Sequence, residues 1–295
     1  MEDTIQAVEG SFRESGNGGA SNLSTHLSTG GGGKSDLHIK AGFLSSKGYV
    51  ALKTSGILIL SRAGTRKPLA IMDSGQITWL RTGAAGAIAA KYLARKDSEK
   101  IAVIGTGKQG RAQLIGLCRV LPKINQVNAW SPTPQKREVF ASEMSAQLGI
   151  DIQPTDTVKG AVTAADVIVT ATPSTQAFLL SDYVRLGCHI NAMGADLPGM
   201  QELDSGLLVK SRIFVDDLEQ ALKVGAINVA FGAGALSREK ICGTLGEVVA
   251  GKIPGRNSSD DITVFDSSGL GMQDTALASW IYENRETIPH QEIQL

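Results

Sequence analysis

The chemistry-bearing residues of this chain concentrate in Gly105-Thr106-Gly107-Lys108-Gln109-Gly110, a GxGxxG spacing. It directly follows the apolar run Lys100-Ile101-Ala102-Val103-Ile104 and opens a helix-like stretch to Val120. Strand, turn and helix are the context in which this spacing binds a dinucleotide. Gly105 permits the tight turn, Gly107 lets a pyrophosphate approach the backbone, and Gly110 lets the helix lie close on the strand. The helix N-terminus adds free N–H groups and partial positive charge. Thr106, Lys108 and Gln109 share that loop and are read as cofactor contacts with the three glycines.

An acid usually ends the next strand of such a unit when the cofactor is NAD. Here Val127-Asn128-Ala129-Trp130 runs into Ser131-Pro132-Thr133-Pro134-Gln135-Lys136-Arg137, with no acid. Ser131 and Thr133 offer hydroxyls, and Lys136 or Arg137 can reach a 2′-phosphate. NADP is therefore favoured over NAD; the competing reading makes both cations the solvated face of the next helix. Thr172, Met193 and Gly194 follow later strands at their carboxyl ends, where ligands collect in such sheets. Asp196 follows them as a candidate site carboxylate, with a turn or helix-capping role as its alternative. Lys53 is an odd charge in Val50-Ala51-Leu52-Lys53. Burial would lower its pKa toward a range useful for proton transfer; the alternative is a surface lysine with its head in water.

The elements that must carry these residues come next. Residues 36–44, 48–54, 57–61 and 68–72 read as short strands with turn residues between them. Asp73 to Arg95 reads as a helix whose small residues imply very close packing. From residue 100, strands at 127–130, 151–153, 167–170, 189–192 and 212–215 accompany helical stretches, ending in Ile262–Phe265 and a helix through about Asn284. Such alternation implies a parallel, doubly wound sheet. The fold class is thus α/β, a Rossmann doubly wound domain over 96–271. Residues 1–95 with 272–295 form a smaller α+β substrate and dimerisation domain. Residues 10–33, rich in glycine, serine and threonine, read as a flexible loop by composition. Gly33-Lys34-Ser35 resembles a P-loop tail, but Ser28 stands where its first glycine belongs.

Composition narrows the function classes. Of 295 residues, 42% are hydrophobic and 20% charged, so a large core is available. Lysine plus arginine equals aspartate plus glutamate, 29 each, which argues against a nucleic-acid or anionic-membrane partner. No apolar run reaches the ~20 residues that span a bilayer, and the N-terminus lacks the marks of a signal peptide. A cytoplasmic protein is expected. Cys118, Cys188 and Cys242 are too scattered for a disulfide framework, and the four histidines have no metal-ligand spacing, so no metal site is expected.

Four stretches together resemble the ornithine cyclodeaminase/mu-crystallin family. They are Arg81–Arg95, Ile190–Asp204, Val215–Ala221 and Phe265–Asp274, in order within a resemblance covering residues 48–286. The wording is closest to the family's archaeal alanine dehydrogenase branch. The resemblance implies hydride transfer between a nicotinamide and the α-carbon of a small amino or imino acid, and a homodimer. Ornithine cyclodeamination with retained NAD, or ligand binding without turnover, are the alternatives. It further implies that Arg81 grips the substrate carboxylate and Lys53 moves a proton. Asp196 would lie near the substrate nitrogen, with Thr82, Ser267 and Gly269 at the cofactor. The chain begins almost inside the family's first helix, at Thr4–Val8. It also lacks the loop that usually follows the active-site lysine, since Lys53-Thr54-Ser55-Gly56 runs straight into Ile57. A second basic residue for the carboxylate is open among His26, His38 and Lys40.

Overall fold

The computed structural model describes residues 1–27 and 37–293. Gly33-Lys34-Ser35 lies outside the described residues. Helix α1 (Glu2–Gly16) leads into five strands, β1 (Ala20–Leu27), β2 (Leu37–Leu44), β3 (Tyr49–Lys53), β4 (Ile57–Arg62) and β5 (Pro68–Asp73). These pair in sequence order as an antiparallel sheet. Four of them match the sequence expectation. The stretch read as a flexible loop does not: residues 10–16 continue α1 and residues 20–27 form β1. Composition misled because glycine here serves close approach. A Cβ on Gly16 would lie 2.1 Å from the Gly246 carbonyl oxygen, while Phe12, on the same helix, is fully buried. No loop follows Lys53. Thr54-Ser55-Gly56 forms a tight turn, with Gly56 at φ +99° and Thr54 N–H donating to the Ile57 carbonyl.

Helix α2 (Ser74–Leu93) starts at the N-cap Asp73, whose carboxylate accepts from the Gln76 N–H at 2.9 Å. The second sheet is built from β6 (Lys100–Ile104), α3 (Lys108–Val120), β7 (Gln126–Trp130), α4 (Pro134–Leu148), β8 (Asp151–Pro154), α5 (Val158–Val162), β9 (Val167–Thr170) and β10 (His189–Ala192). It continues with α6 (Ser205–Lys210), β11 (Arg212–Val215), α7 (Leu218–Val224), α8 (Asn228–Gly232), β12 (Ile241–Thr244), α9 (Leu245–Val249) and β13 (Thr263–Asp266), before the last helix, α10 (Gly271–Glu283). Among the described residues the strand order is β12-β11-β13-β10-β9-β6-β7-β8, every pair parallel. This is a doubly wound α/β sheet beside a separate antiparallel one. The chain runs outward from β6 to β8 on one side, then returns to β9 and proceeds the other way. The β6/β9 junction is therefore the switch point, where the crevice of such a sheet opens.

Two helices bind the sheets together. In α10 the first nine residues are all buried, with Leu277 and Ala278 on the inner face of the antiparallel sheet and Met272 and Ala276 in the larger core. Helix α2 reaches that sheet through Ile77 and the parallel one through its C-terminal half. A Cβ on Gly83 would lie 2.6 Å from the Ala112 carbonyl oxygen of α3, and one on Gly116 would lie 2.6 Å from that of Gly83. The glycines that cost helix propensity, about 1 kcal/mol each, permit this backbone-close crossing. Behind it, Gln113 donates to the Thr82 carbonyl at 2.6 Å, and Asn191 donates to that of Gly86 at 3.0 Å.

Candidate active site

Register puts two lysines side by side. Lys40 on β2 is the cross-strand partner of Lys53 on β3, and both side chains point inward with Gly42, Leu44 and Ala51. Like charges opposite one another oppose sheet formation, so this pair is held by other contacts. Helix α2 brings Thr78, Arg81 and Thr82 to the same place, since residues three and four apart share a helix face. Helix α10 brings Gln273 and Asp274 from the other side.

Asp274 is the hub. Lys53 Nζ lies 2.9 Å from the carboxylate of Asp274 and 3.0 Å from Thr78 Oγ1. Arg81 donates from Nε to Asp274 at 3.2 Å and from Nη1 to Gln273 Oε1 at 3.1 Å. Both Lys53 and Arg81 are buried, which excludes the surface reading of Lys53. Lys40 donates to the carbonyls of Ser268 and Gly269 at 2.8 and 2.7 Å. The same loop is held from beneath by buried Asp216, which accepts from Ser267 Oγ, Ser268 Oγ and Gly269 N–H. Burial, reinforced by the Arg81 charge, lowers the pKa of Lys53 to about 7 against the pull of Asp274. The same two causes bring Lys40 to about 8. A lysine near 7 can both hold and release a proton at neutral pH.

A cleft of about 270 Å³ joins much of what the sequence singled out. Its walls include Lys40, Arg81, Thr82 and Asp196, with Gln109, Thr172, Met193, Gly194, Ser267 and Gly269. Lys53 adjoins this wall, donating from Nζ to Thr78 Oγ1, which lines the cleft, at 3.0 Å. Asp196 is exposed at the mouth. Ser131 and Thr133 lie apart from this cleft, at the end of β7. There the Gly105 N–H donates to the Trp130 carbonyl at 2.9 Å, so the glycine loop and the β7 end are neighbours. Arg137 is mostly buried rather than solvated, donating to the Ser131 carbonyl at 3.4 Å and pairing with Asp156.

The glycine loop fits a dinucleotide. Gly105 has φ +106°, and a Cβ there would lie 2.4 Å from the Ala171 carbonyl oxygen. At Gly110 a Cβ would lie 2.1 Å from the Gly105 carbonyl oxygen. At Gly107 it would meet nothing, because that position faces open space at the start of α3. Two buried polar atoms of the cleft wall, Thr82 Oγ1 and Gln109 Oε1, have no partner among the described residues. Buried polar groups rarely stay unpaired, and a bound cofactor would supply their partners. Among the described residues no cluster of three or more histidine, cysteine or acidic side chains is placed to hold a metal ion.

Sequence reasoning missed Asp274 as a site residue, although the motif containing it was read. It also missed Gln273, Thr78, Asp216 and the buried Glu202. Glu202 accepts from the Thr172 N–H at 2.7 Å and the Gly194 N–H at 3.1 Å, tying two cleft walls together. Lys40, one of three basic candidates, lies on the cleft wall. Only strand parity could have pointed to it, through its even spacing from the inward Gly42 and Leu44.

Comparison with known proteins bears on the family and the fold. A family model described as the ornithine cyclodeaminase/mu-crystallin family matches residues 45–288. An alanine dehydrogenase from Archaeoglobus fulgidus is 45% identical over 229 residues, covering 77% of this chain and 70% of that protein. A solved archaeal alanine dehydrogenase dimer with bound NAD has a TM-score of 0.91 at 40% identity, covering 97% of this chain and 92% of that one. The Thermococcus litoralis Δ1-pyrroline-2-carboxylate reductase, solved with NADH and L-proline, has a TM-score of 0.93 at 32% identity, covering 97% and 94%. With the family match spanning most of the chain and the fold shared nearly end to end, this protein belongs to the ornithine cyclodeaminase/mu-crystallin family.

Proposed function

We propose that this chain is an NAD(P)-dependent oxidoreductase that reduces a small α-imino acid to the amino acid, or runs that reaction in reverse. The observation that carries the reading is Lys53, buried, ion-paired to Asp274 beside Arg81, and bonded to Thr78 on the wall of a cleft that adjoins a dinucleotide loop. The nicotinamide, when bound, supplies hydride to the imine carbon. Gly105, Thr106, Gly107, Lys108, Gln109 and Gly110 would cradle its phosphates, with Thr82, Thr172, Met193, Gly194, Ser267 and Gly269 along its path. Arg81 and Lys40 converge on Gly269, where an added Cβ would lie 2.5 Å from Arg81 Nη1 and 3.1 Å from Lys40 Nζ. Two cations so close suit one carboxylate, which a guanidinium binds well. Lys53 holds the proton destined for the imine nitrogen, and exposed Asp196 faces the amino group at the mouth.

NADP is the preferred cofactor in this reading, supported by the absence of an acid at the β7 end and by Arg137 lying there. A homodimer is supported by the outer face of the antiparallel sheet, where Leu23, Leu52, Ile57 and Ile71 stay exposed. Contiguous apolar surface of this kind marks interaction sites. Residues 1–95 with 272–295 would form the substrate and dimerisation unit, and 96–271 the cofactor unit. Among the described residues no helix is long and apolar enough to cross a membrane, and we place the protein in the cytoplasm.

The test is oxidation of NADH and NADPH by purified protein with cyclic imino acids, pyruvate plus ammonia or methylamine, and ornithine by product assay. Cofactor oxidation with an imine establishes the reductase. Ornithine conversion without net redox change would replace it with a cyclodeaminase, and tight cofactor binding without turnover on any of these would count against it.

A further inference from the structure

Asp274 stands out among the buried groups because nothing in the family reading assigns it a task. It lies in the first turn of α10, where a carboxylate commonly bonds the free N–H groups of the helix start. Here it turns away from them and gives its oxygens to Lys53 at 2.9 Å and Arg81 at 3.2 Å. Its side chain is 1% exposed. Three buried cations meet at this spot, Lys40, Lys53 and Arg81, and among the described residues Asp274 is the one carboxylate in ion-pairing range of any of them.

We propose that Asp274 is a positioning residue of the site, whose single buried carboxylate keeps Lys53 able to carry a proton and aims Arg81 at the substrate carboxylate. The inference rests on the reductase reading, in which the Lys53 ammonium gives its proton to the imine nitrogen as hydride reaches the carbon. Every charged group facing Lys53 bears on this. From α2 comes Arg81 beside neutral Thr78, from β2 comes Lys40, and from α10 comes Asp274; the cross-strand partner on β4 is Leu58. On the side of the parallel sheet, Asp196 and Asp216 act on Lys40. Burial, Arg81 and Lys40 all disfavour the charged lysine, and Asp274 opposes them. Without Asp274 the lysine would lose its proton at neutral pH, and Arg81 would lose its anchor at Nε.

The experiment is Asp274→Asn, which keeps size and removes charge. In wild type, kcat/KM for imine reduction should fall as pH rises through about 7, the Lys53 value. An opposite charge at this range is worth ~1–3 pH units, so the alkaline limb should move downward by that much in the variant. Cofactor affinity should stay unchanged, and activity should recover partly at low pH. Asp274→Glu, which restores the charge, should return the limb toward wild type. A uniformly slower variant with an unmoved limb would overturn the proposal, since a packing role scales the rate without moving its titration. A second readout needs no turnover: Lys53 is titrated by NMR with ¹³C at lysine Cε, its signal assigned by its loss in Lys53→Arg. A midpoint lowered in Asp274→Asn supports the proposal, and an unmoved one overturns it. If the asparagine variant does not fold, Asp274→Glu is titrated instead. A midpoint near wild type supports the proposal, and one lowered by more than ~1 unit overturns it. If wild type reduces no imino acid, the functional reading falls, and the NMR titration still decides the role of Asp274.

Discussion

Gly42→Ala is a small change at the most crowded point of the antiparallel sheet. A Cβ on Gly42 would lie 2.1 Å from the carbonyl carbon of Gly271 and 2.2 Å from the Met272 nitrogen. Carbon atoms in contact rest at about 3.5–4.0 Å, so α10 must retreat by about 1.5 Å. Both neighbours are backbone, and no side chain can swing away to relieve the clash. The Gly42 carbonyl also accepts from Thr275 Oγ1 at 2.8 Å, so strand and helix are bonded where the methyl would part them. Overpacking of this kind costs ~1–3 kcal/mol, and at about 2 °C per kcal/mol for a chain this long that is roughly 2–6 °C in Tm. The functional cost should be larger in proportion. The retreat carries Gln273 and Asp274 away from Arg81 and Lys53, and a misplacement of ~1 Å in a catalytic group lowers the rate about 100-fold. The glycine loop belongs to the other sheet, so cofactor affinity should hold. Calorimetric melting, kcat/KM with a cyclic imino acid and fluorescence titration of the cofactor measure the three quantities separately. A variant that melts with wild type and keeps its kcat/KM would refute the reasoning, because strand and helix could then separate without disturbing the site.

Other substitutions isolate other parts of the site. Gly107→Val places its side chain in open space at φ −81°, so Tm should change little beyond ~1 kcal/mol of capping. Cofactor affinity should still drop roughly 100-fold, ~2.7 kcal/mol; an unchanged titration would place the phosphates elsewhere. Lys53→Met should lower turnover by ~10²–10⁴ while cofactor binding survives, and normal activity would remove Lys53 from the mechanism. His189 is fully buried between Thr263 and Asn191, and burial lowers its pKa to about 3. The unfolded chain then binds the extra proton between about pH 6.5 and 3. Its contribution to stability is present above pH 6.5 and is lost on acidification, at ~1.4 kcal/mol per pH unit. His189→Gln should flatten the acid limb of stability measured by urea melts, and an equally steep limb in the variant would count against this assignment.

Glycine and periodicity carried the fold into view from sequence alone. GxGxxG after an apolar strand declares a strand–turn–helix with a bare phosphate cradle, because only glycine takes φ +106° at 105 and lets α3 lie on the strand at 110. Alternation of strands and helices gave the doubly wound sheet. Arg81 and Asp196 were legible as members of motifs, and Lys53 as an odd charge in an apolar strand. Glycine also produced the error at residues 10–27, since a local composition cannot distinguish a residue that loosens the chain from one that lets Gly16 touch Gly246. The pairing of Lys40 with Lys53 depends on β2–β3 register, and a one-residue slip of β2 would send Lys40 to the outer face and leave Lys53 inside. Asp274 is 221 residues from Lys53 in the chain and 2.9 Å from it in space. Local periodicity acts over a few residues, whereas this meeting requires the last helix to return across the first sheet. The tertiary fold alone decided which carboxylate holds the site's charge, because burial and proximity, which set a lysine's pKa, exist only once the chain has closed on itself.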